Sequence, residues 1–263
     1  MFFAGLPGTG KSLLVHQLSH VAAERGRRVH LLQWDVARPA FEASPAGRRH
    51  PQADGVTRPV IRRAVGLWAR EAIVRWNREH PGTEHLLVGE TPFVGGRLIE
   101  LARPLQDAAE GLLADASCRF ALALPSAGVR RHLEAERGRR AEHPLHPRER
   151  EDAPPHVLSA LWREIAGVAG RLGVAPPGDA ARTPYDPAWY RSVYERILRH
   201  RRVDVVALDV ILPAQALSPY DFAAPPPDLI PSEAEAERFV EDVERRYPAP
   251  AALDEEIARW WEV

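Results

Sequence analysis

Lys11 is the only lysine in a chain of 263 residues whose other fixed cations are 34 arginines, and it stands inside Gly5-Leu6-Pro7-Gly8-Thr9-Gly10-Lys11-Ser12. Two glycines flanking four residues and followed by Lys-Ser make the phosphate-binding loop pattern. The pattern has a mechanical reason. Successive backbone N–H groups turn inward as an anion cradle, and glycine tolerates the dihedrals that such a turn demands. A helix starting near the lysine adds the positive end of its dipole. The ammonium then reaches the outer phosphates of a nucleotide, and the Ser12 hydroxyl ligates Mg2+. Arginine can carry a surface charge almost anywhere, so the one surviving ammonium marks a place that needs a compact point charge. Gly5 to Ser12 are therefore expected to bind the phosphates of a nucleotide together with Mg2+.

The flanks supply the context this motif needs. Residues 2–4 are a short apolar run ending at the turn, and Leu14, Leu18, Val21 and Ala22 follow with helical spacing up to Gly26. Val29 to Trp34 reads as a second strand, followed by a helix through Ile61, Val65, Trp68, Ala72 and Trp76. Leu86 to Val88 reads as a third strand, followed by a helix through Leu101, Leu105, Ala108 and Leu112, or one that starts only near Pro104. Arg119 to Leu124 reads as a fourth strand and Val203 to Leu212 as a fifth. Strands alternating with helices imply an α/β fold, a parallel sheet covered on both faces. Between the fourth and fifth strands lie helices expected over 126–141, 156–172 and 187–201, far more chain than one crossover needs. That insertion predicts a lid, centred on about 126–155.

Residues 1–212 thus read as one nucleotide-binding domain and 213–263 as an acidic, Pro-rich appendage. Ser232-Glu233-Ala234-Glu235 is a capping box that opens a helix, and 251–262 offers one more, with Trp260 and Trp261 near its end. The tail carries twelve acids against four arginines, so the first 212 residues hold an excess of about seven positive charges. The basic part is the natural home of an anionic ligand. The whole chain balances to −1, which argues against nucleic acid or an anionic membrane as the default partner. No apolar run approaches a membrane span, and the N-terminus has no secretory pattern, so a soluble, cytoplasmic protein is expected. Cys118 is alone, which excludes an intramolecular disulfide and a cysteine zinc site. His143 and His146, with His132 and His156 nearby, fall short of a zinc ligand set.

Asp35 and Arg38 define the acceptor side. A carboxylate at the carboxyl end of the second strand lies at the sheet rim beside the phosphates. A phosphotransferase needs a group there to accept or orient the proton of an acceptor hydroxyl. A turn or N-cap aspartate is the plainer reading of Asp35. Arg38 is placed either to hold an anionic acceptor or to stand in solvent. The third strand reads Leu86-Leu87-Val88-Gly89-Glu90, which lacks the acidic signature of motor and AAA-type ATPases. Glu90 and Arg97, in the turn that ends this strand, are candidate substrate contacts; a capped loop without a ligand competes with them.

Gly-Leu-Pro-Gly-Thr-Gly-Lys-Ser, followed by a strand ending in Asp and then Arg, resembles the P-loop kinases grouped with the zeta toxins and chloramphenicol phosphotransferase. More distantly it is similar to the adenylate-kinase-like nucleotide kinases. The resemblance covers about residues 1–212 and implies the three-layer P-loop NTPase fold, with five parallel strands and a lid between the fourth and fifth. It implies ATP- and Mg2+-dependent phosphoryl transfer to a small hydroxyl-bearing acceptor, with Asp35 as the acceptor-side carboxylate. It also implies lid arginines that close over the triphosphate, for which Arg137 and Arg140 are the candidates, with Arg148 and Arg150 in the loop beyond. Lys11, Asp35, Arg137 and Arg140 form the expected catalytic set. Two rivals stand beside it. One is a nucleotide-dependent regulatory ATPase acting on a protein partner through its acidic tail and Trp pair; the other is a polynucleotide 5′-kinase.

Overall fold

The computed structural model describes residues 1–147, 149, 155–176, 183–211 and 228–263. Arg148, Arg150, Leu212 and the proline run 225–227 lie outside the described residues. Five strands, β1 (Phe2–Ala4), β2 (Arg28–Gln33), β3 (His85–Thr91), β4 (Phe120–Pro125) and β5 (Val203–Leu208), form one parallel sheet in the order β2-β3-β1-β4-β5. Register is continuous across the centre: Phe2 stands between Gly89 and Phe120, and Ala4 between Thr91 and Leu122. Alternation then divides the core. Phe3, Val29, Leu31, Val88 and Ala121 face α1 (Lys11–Glu24) through Val15 and Ala22. Phe2, Ala4, Leu32, Phe120 and Leu122 face a larger cluster built by the remaining helices. The result is a three-layer α/β fold, as the strand-helix alternation requires.

That larger layer contains α2 (Trp34–Ala43), α3 (Pro59–Glu79), α4 (Ala108–Ala114), α6 (Pro155–Arg171) and α7 (Pro187–Ile197), with α5 (Ala127–Glu142) packed against α6. The helix α2 departs from the sequence reading, which continues β2 through Trp34 to Asp35. The strand stops at Gln33, and Asp35 sits in the first turn of α2. Trp34, Ala37 and Phe41 are its buried face, with helical spacing that Pro39 disguises. Pro39 is the sixth helical residue, so it deprives only the Asp35 carbonyl of an i+4 donor, a loss the first turn absorbs. Of the two starts open to the helix through 101–112, the later one is nearer: a single 3-10 turn spans Ile99–Leu101, and α4 begins after Asp107, which caps the Ala109 and Glu110 amides. β5 ends at Leu208, four residues short of the expected end.

The tail packs as part of the core. In α8 (Glu233–Arg246) the capping box forms, with Ser232 Oγ accepting from Glu235 N–H and the Glu235 carboxylate accepting from Ser232 N–H. Ala236, Phe239, Val240 and Val243 make its buried stripe, in contact with α3 and α2. In α9 (Pro250–Ala258) Leu253 and Ile257 are buried, and Trp260 beyond it is 1% exposed. The acids of the tail are spent on the basic part of the chain: Glu235 on Arg75, Glu244 on Arg49 and His50, Glu256 on Arg63 and Arg103. Part of the positive excess of residues 1–212 is thus neutralised inside the molecule. Among the described residues no helix is long and apolar enough to cross a membrane.

Candidate functional site

In a parallel sheet with this order, the connection from β1 runs one way, to β2, and that from β4 runs the other, to β5. Divergent crossovers leave a crevice at the carboxyl ends of β1 and β4, where open α/β sheets bind ligands. The glycine-rich loop leaves β1 at that point. Gly5, Gly8 and Gly10 have φ of 144°, 72° and 84°, all in the region that side chains disfavour, which is why three glycines are spent here. Gly10 precedes the first residue of α1. The amides of Gly8, Thr9, Gly10, Lys11 and Ser12 donate to no acceptor among the described residues. Five consecutive N–H groups at a helix N-terminus are an anion site in the making.

The loop is braced from behind. Leu6 N–H donates to the Tyr190 hydroxyl of α7 at 3.0 Å, and the Leu6 carbonyl accepts from Thr9 Oγ1 and Lys11 Nζ. Burial pushes the Tyr190 phenol up to about 12, so the brace stays neutral at any working pH. Lys11 is 4% exposed, with Nζ 2.9 Å from the Leu6 oxygen and 3.5 Å from Glu90 Oε1. Burial lowers its pKa, and the negative charges of Glu90 and Asp35 work against that shift. Ser12 is exposed at the head of α1.

The expected acceptor-side residues come from the ends of β2 and β3 and the turns beyond them. Gln33 Nε2 donates to Glu90 Oε2 at 3.3 Å, tying the two strand ends together. Asp35 is exposed in the first turn of α2. Desolvation, followed by the charge of Glu90, pushes its carboxyl above the usual range, while Arg38, Lys11 and Arg97 oppose the shift. Arg38 is held by Glu42 at 2.6 Å on the same helix. Arg97 donates to the Val94 carbonyl and Arg62 to the Gly95 carbonyl. A methyl group placed on Gly95 would lie 2.7 Å from Arg97, 3.3 Å from Arg62 and 3.6 Å from Glu164, so these three charges crowd one point. Burial, together with the charge of Arg97, depresses Arg62 to about 10.

The two expected lid arginines have different surroundings. Arg137 Nε stands 3.6 Å from where a Cβ on Gly8 would be, and its charge is felt at Lys11. Arg140 is engaged with Glu149 at 3.5 Å and Glu136 at 3.8 Å. The sequence reading gave no special role to Arg130, which is fully buried, donates to the Pro7 carbonyl at 3.0 Å and pairs with Glu134. Arg130 precedes Arg137 by seven residues, two helical turns on one face, a spacing that was available as a signal. Tyr190 had no such signal, because its partner Leu6 is 184 residues away. Comparison with family models, curated proteins and solved structures found no match for this chain.

Proposed function

We propose that the chain is an ATP- and Mg2+-dependent phosphotransferase acting on a small, hydroxyl-bearing acceptor that carries negative charge. The observation that supports this most is the row of five undonated amides, Gly8 to Ser12, ending at a buried lysine. Those amides and Lys11 Nζ would hold the phosphate oxygens, and the exposed Ser12 hydroxyl would hold the metal. Bound ATP·Mg2+ supplies an activated phosphoryl group with its charge partly neutralised. Phosphate oxygens would draw Lys11 from the Leu6 carbonyl, and Arg130 and Arg137 stand beside the loop to balance charge and exclude water. Asp35 takes the proton of the acceptor hydroxyl; its raised pKa brings it closer to neutrality, where a general base works best. Arg38, Arg62 and Arg97 stand beside Asp35, Glu90 and Glu164 on the acceptor side, and these arginines are the groups that would meet an anionic substrate.

The test is a metabolite screen reading ADP formation. Low ATP hydrolysis in buffer, with a large rise on adding phosphorylated or carboxylated alcohols, supports the reading. Equal turnover with and without every acceptor, or a response only to oligonucleotides, refutes it. Arg97→Met separates the acceptor claim from the donor claim: it should raise the acceptor KM by about 10–100-fold while ATP affinity stays unchanged, the loss of one charge-assisted contact.

A further inference from the structure

Three imidazoles converge on the sheet far from the glycine-rich loop. His30 lies within β2, His80 follows the last turn of α3, and His85 opens β3, five residues or roughly 16 Å from Glu90 along the strand. One nitrogen from each ring lies within 4.8 Å of the others, and His30 Nε2 is 2.9 Å from His85 Nδ1. The opposite nitrogens are already committed. His30 Nδ1 bonds the Asp228 carboxylate, and His80 Nδ1 donates to the Trp76 carbonyl at 3.0 Å. His85 Nε2 faces Glu84 at 3.7 Å.

These outer partners decide the tautomers. A carboxylate and a carbonyl only accept, so His30 and His80 carry their protons on Nδ1 and turn the Nε2 lone pairs inward. Such carboxylate- and carbonyl-held imidazoles are how proteins orient metal ligands. His85 presents Nδ1 to the same point. Without a cation it donates Nδ1–H to His30 Nε2; with one, that proton moves to Nε2 beside Glu84, and no net charge change is required of the protein. Tetrahedral zinc at 2.0–2.1 Å from each nitrogen sets its donors about 3.3 Å apart. The nitrogens now lie within 4.8 Å of one another, and His80 and His85 are only half-buried.

We propose that His30, His80 and His85 form a zinc-binding centre of three imidazoles, with Asp228 orienting His30 and the fourth position open. Its ligands join β2, the end of α3 and β3. Asp228 also accepts from Leu31 N–H on the outer edge of β2, so the centre would staple the 228–229 segment to the sheet edge. Three neutral nitrogen donors suit Zn2+ better than Mg2+ or Ca2+, which take oxygen. This site does not depend on the phosphotransferase reading.

The competing account is an aromatic stack, since His80 also lies against Trp76 with ring centroids 5.8 Å apart. Calorimetric titration of Zn2+ into the chelator-treated full-length chain, without nucleotide, separates the two. The expected result is one tight equivalent, with affinity at least about 100-fold weaker in His80→Ala and about 10–100-fold weaker in Asp228→Asn. Cobalt(II) added in place of zinc should give the visible absorption of a tetrahedral site, lost in His80→Ala. Circular dichroism confirms that each variant folds, and His85→Gln replaces His80→Ala if it does not. Absence of a tight equivalent in the unaltered chain, or unchanged affinity in the folded variants, would overturn the proposal.

Discussion

Replacing Asp35 by Asn keeps the size of the side chain and removes its charge and its capacity to take a proton. If Asp35 is the general base, transfer should slow by about 10²–10⁴-fold. At 1.36 kcal/mol per decade this is about 3–5 kcal/mol of lost transition-state stabilisation. The structure gives stability the opposite sign. Desolvation, then the charge of Glu90, raise the folded pKa of Asp35 above its unfolded value. Such a carboxylate costs stability, a cost that grows as pH rises from the unfolded pKa through the folded one. The first turn of α2 returns only about 0.3–1 kcal/mol to a negative charge. Asp35→Asn should therefore fold with an unchanged or higher melting temperature at pH 7 while losing transfer. Stopped or coupled ADP assays with a cognate acceptor, beside thermal melts, measure both. A variant that transfers at the wild-type rate, or that loses more than about 1 kcal/mol of stability, would show that Asp35 is a structural cap.

Three further outcomes follow from the packing. Glu110 bonds both Arg201 and Arg70, which outweigh its desolvation and hold its carboxyl at about 2; Glu110→Gln should cost about 2–3 kcal/mol at pH 7 by urea denaturation, an advantage of the wild type that is complete above the ordinary glutamate pKa and vanishes as pH falls towards 2. In Gly66→Ala the new methyl would stand 1.7 Å from Glu100 Oε2, on a fully buried carboxylate paired with Arg63, so the midpoint of unfolding should fall by about 1–3 kcal/mol despite the better helix propensity of alanine; a stabilised variant contradicts that packing. Arg130→Met removes the guanidinium bond to the Pro7 carbonyl, and should loosen ATP·Mg2+ binding about 10-fold by calorimetry, where a purely structural Arg130 would change the melting temperature alone.

Local rules carried most of the fold into the sequence. Gly26 and the Ser232–Glu235 box mark helix ends that the structure reproduces, because caps act within four residues. All five strands were legible as apolar runs. The exception is α2, where Pro39 and Arg38 hide the Trp34, Ala37, Phe41 stripe and tertiary burial overrides the local break. The candidate site was legible where it is contiguous, in the loop, and where the chain leaves β2 beside β3, at Asp35 and Glu90. It was illegible where partners are distant in sequence: Tyr190 under Leu6, Arg62 beside Arg97, and His30 against His85. The net charge of residues 1–212 misled in part, since Glu235, Glu244 and Glu256 return from the tail to neutralise its arginines.

The central claim is that the loop from Gly5 to Ser12 binds nucleotide phosphates through its amides and Lys11. Calorimetric titration of ATP·Mg2+ into the wild type and Lys11→Met tests it most directly. The account predicts one site in the wild type. In a variant that melts normally it predicts affinity lower by about 10–100-fold, the loss of one charged hydrogen bond to phosphate. No binding by the wild type, or equal affinity in both proteins, would contradict it.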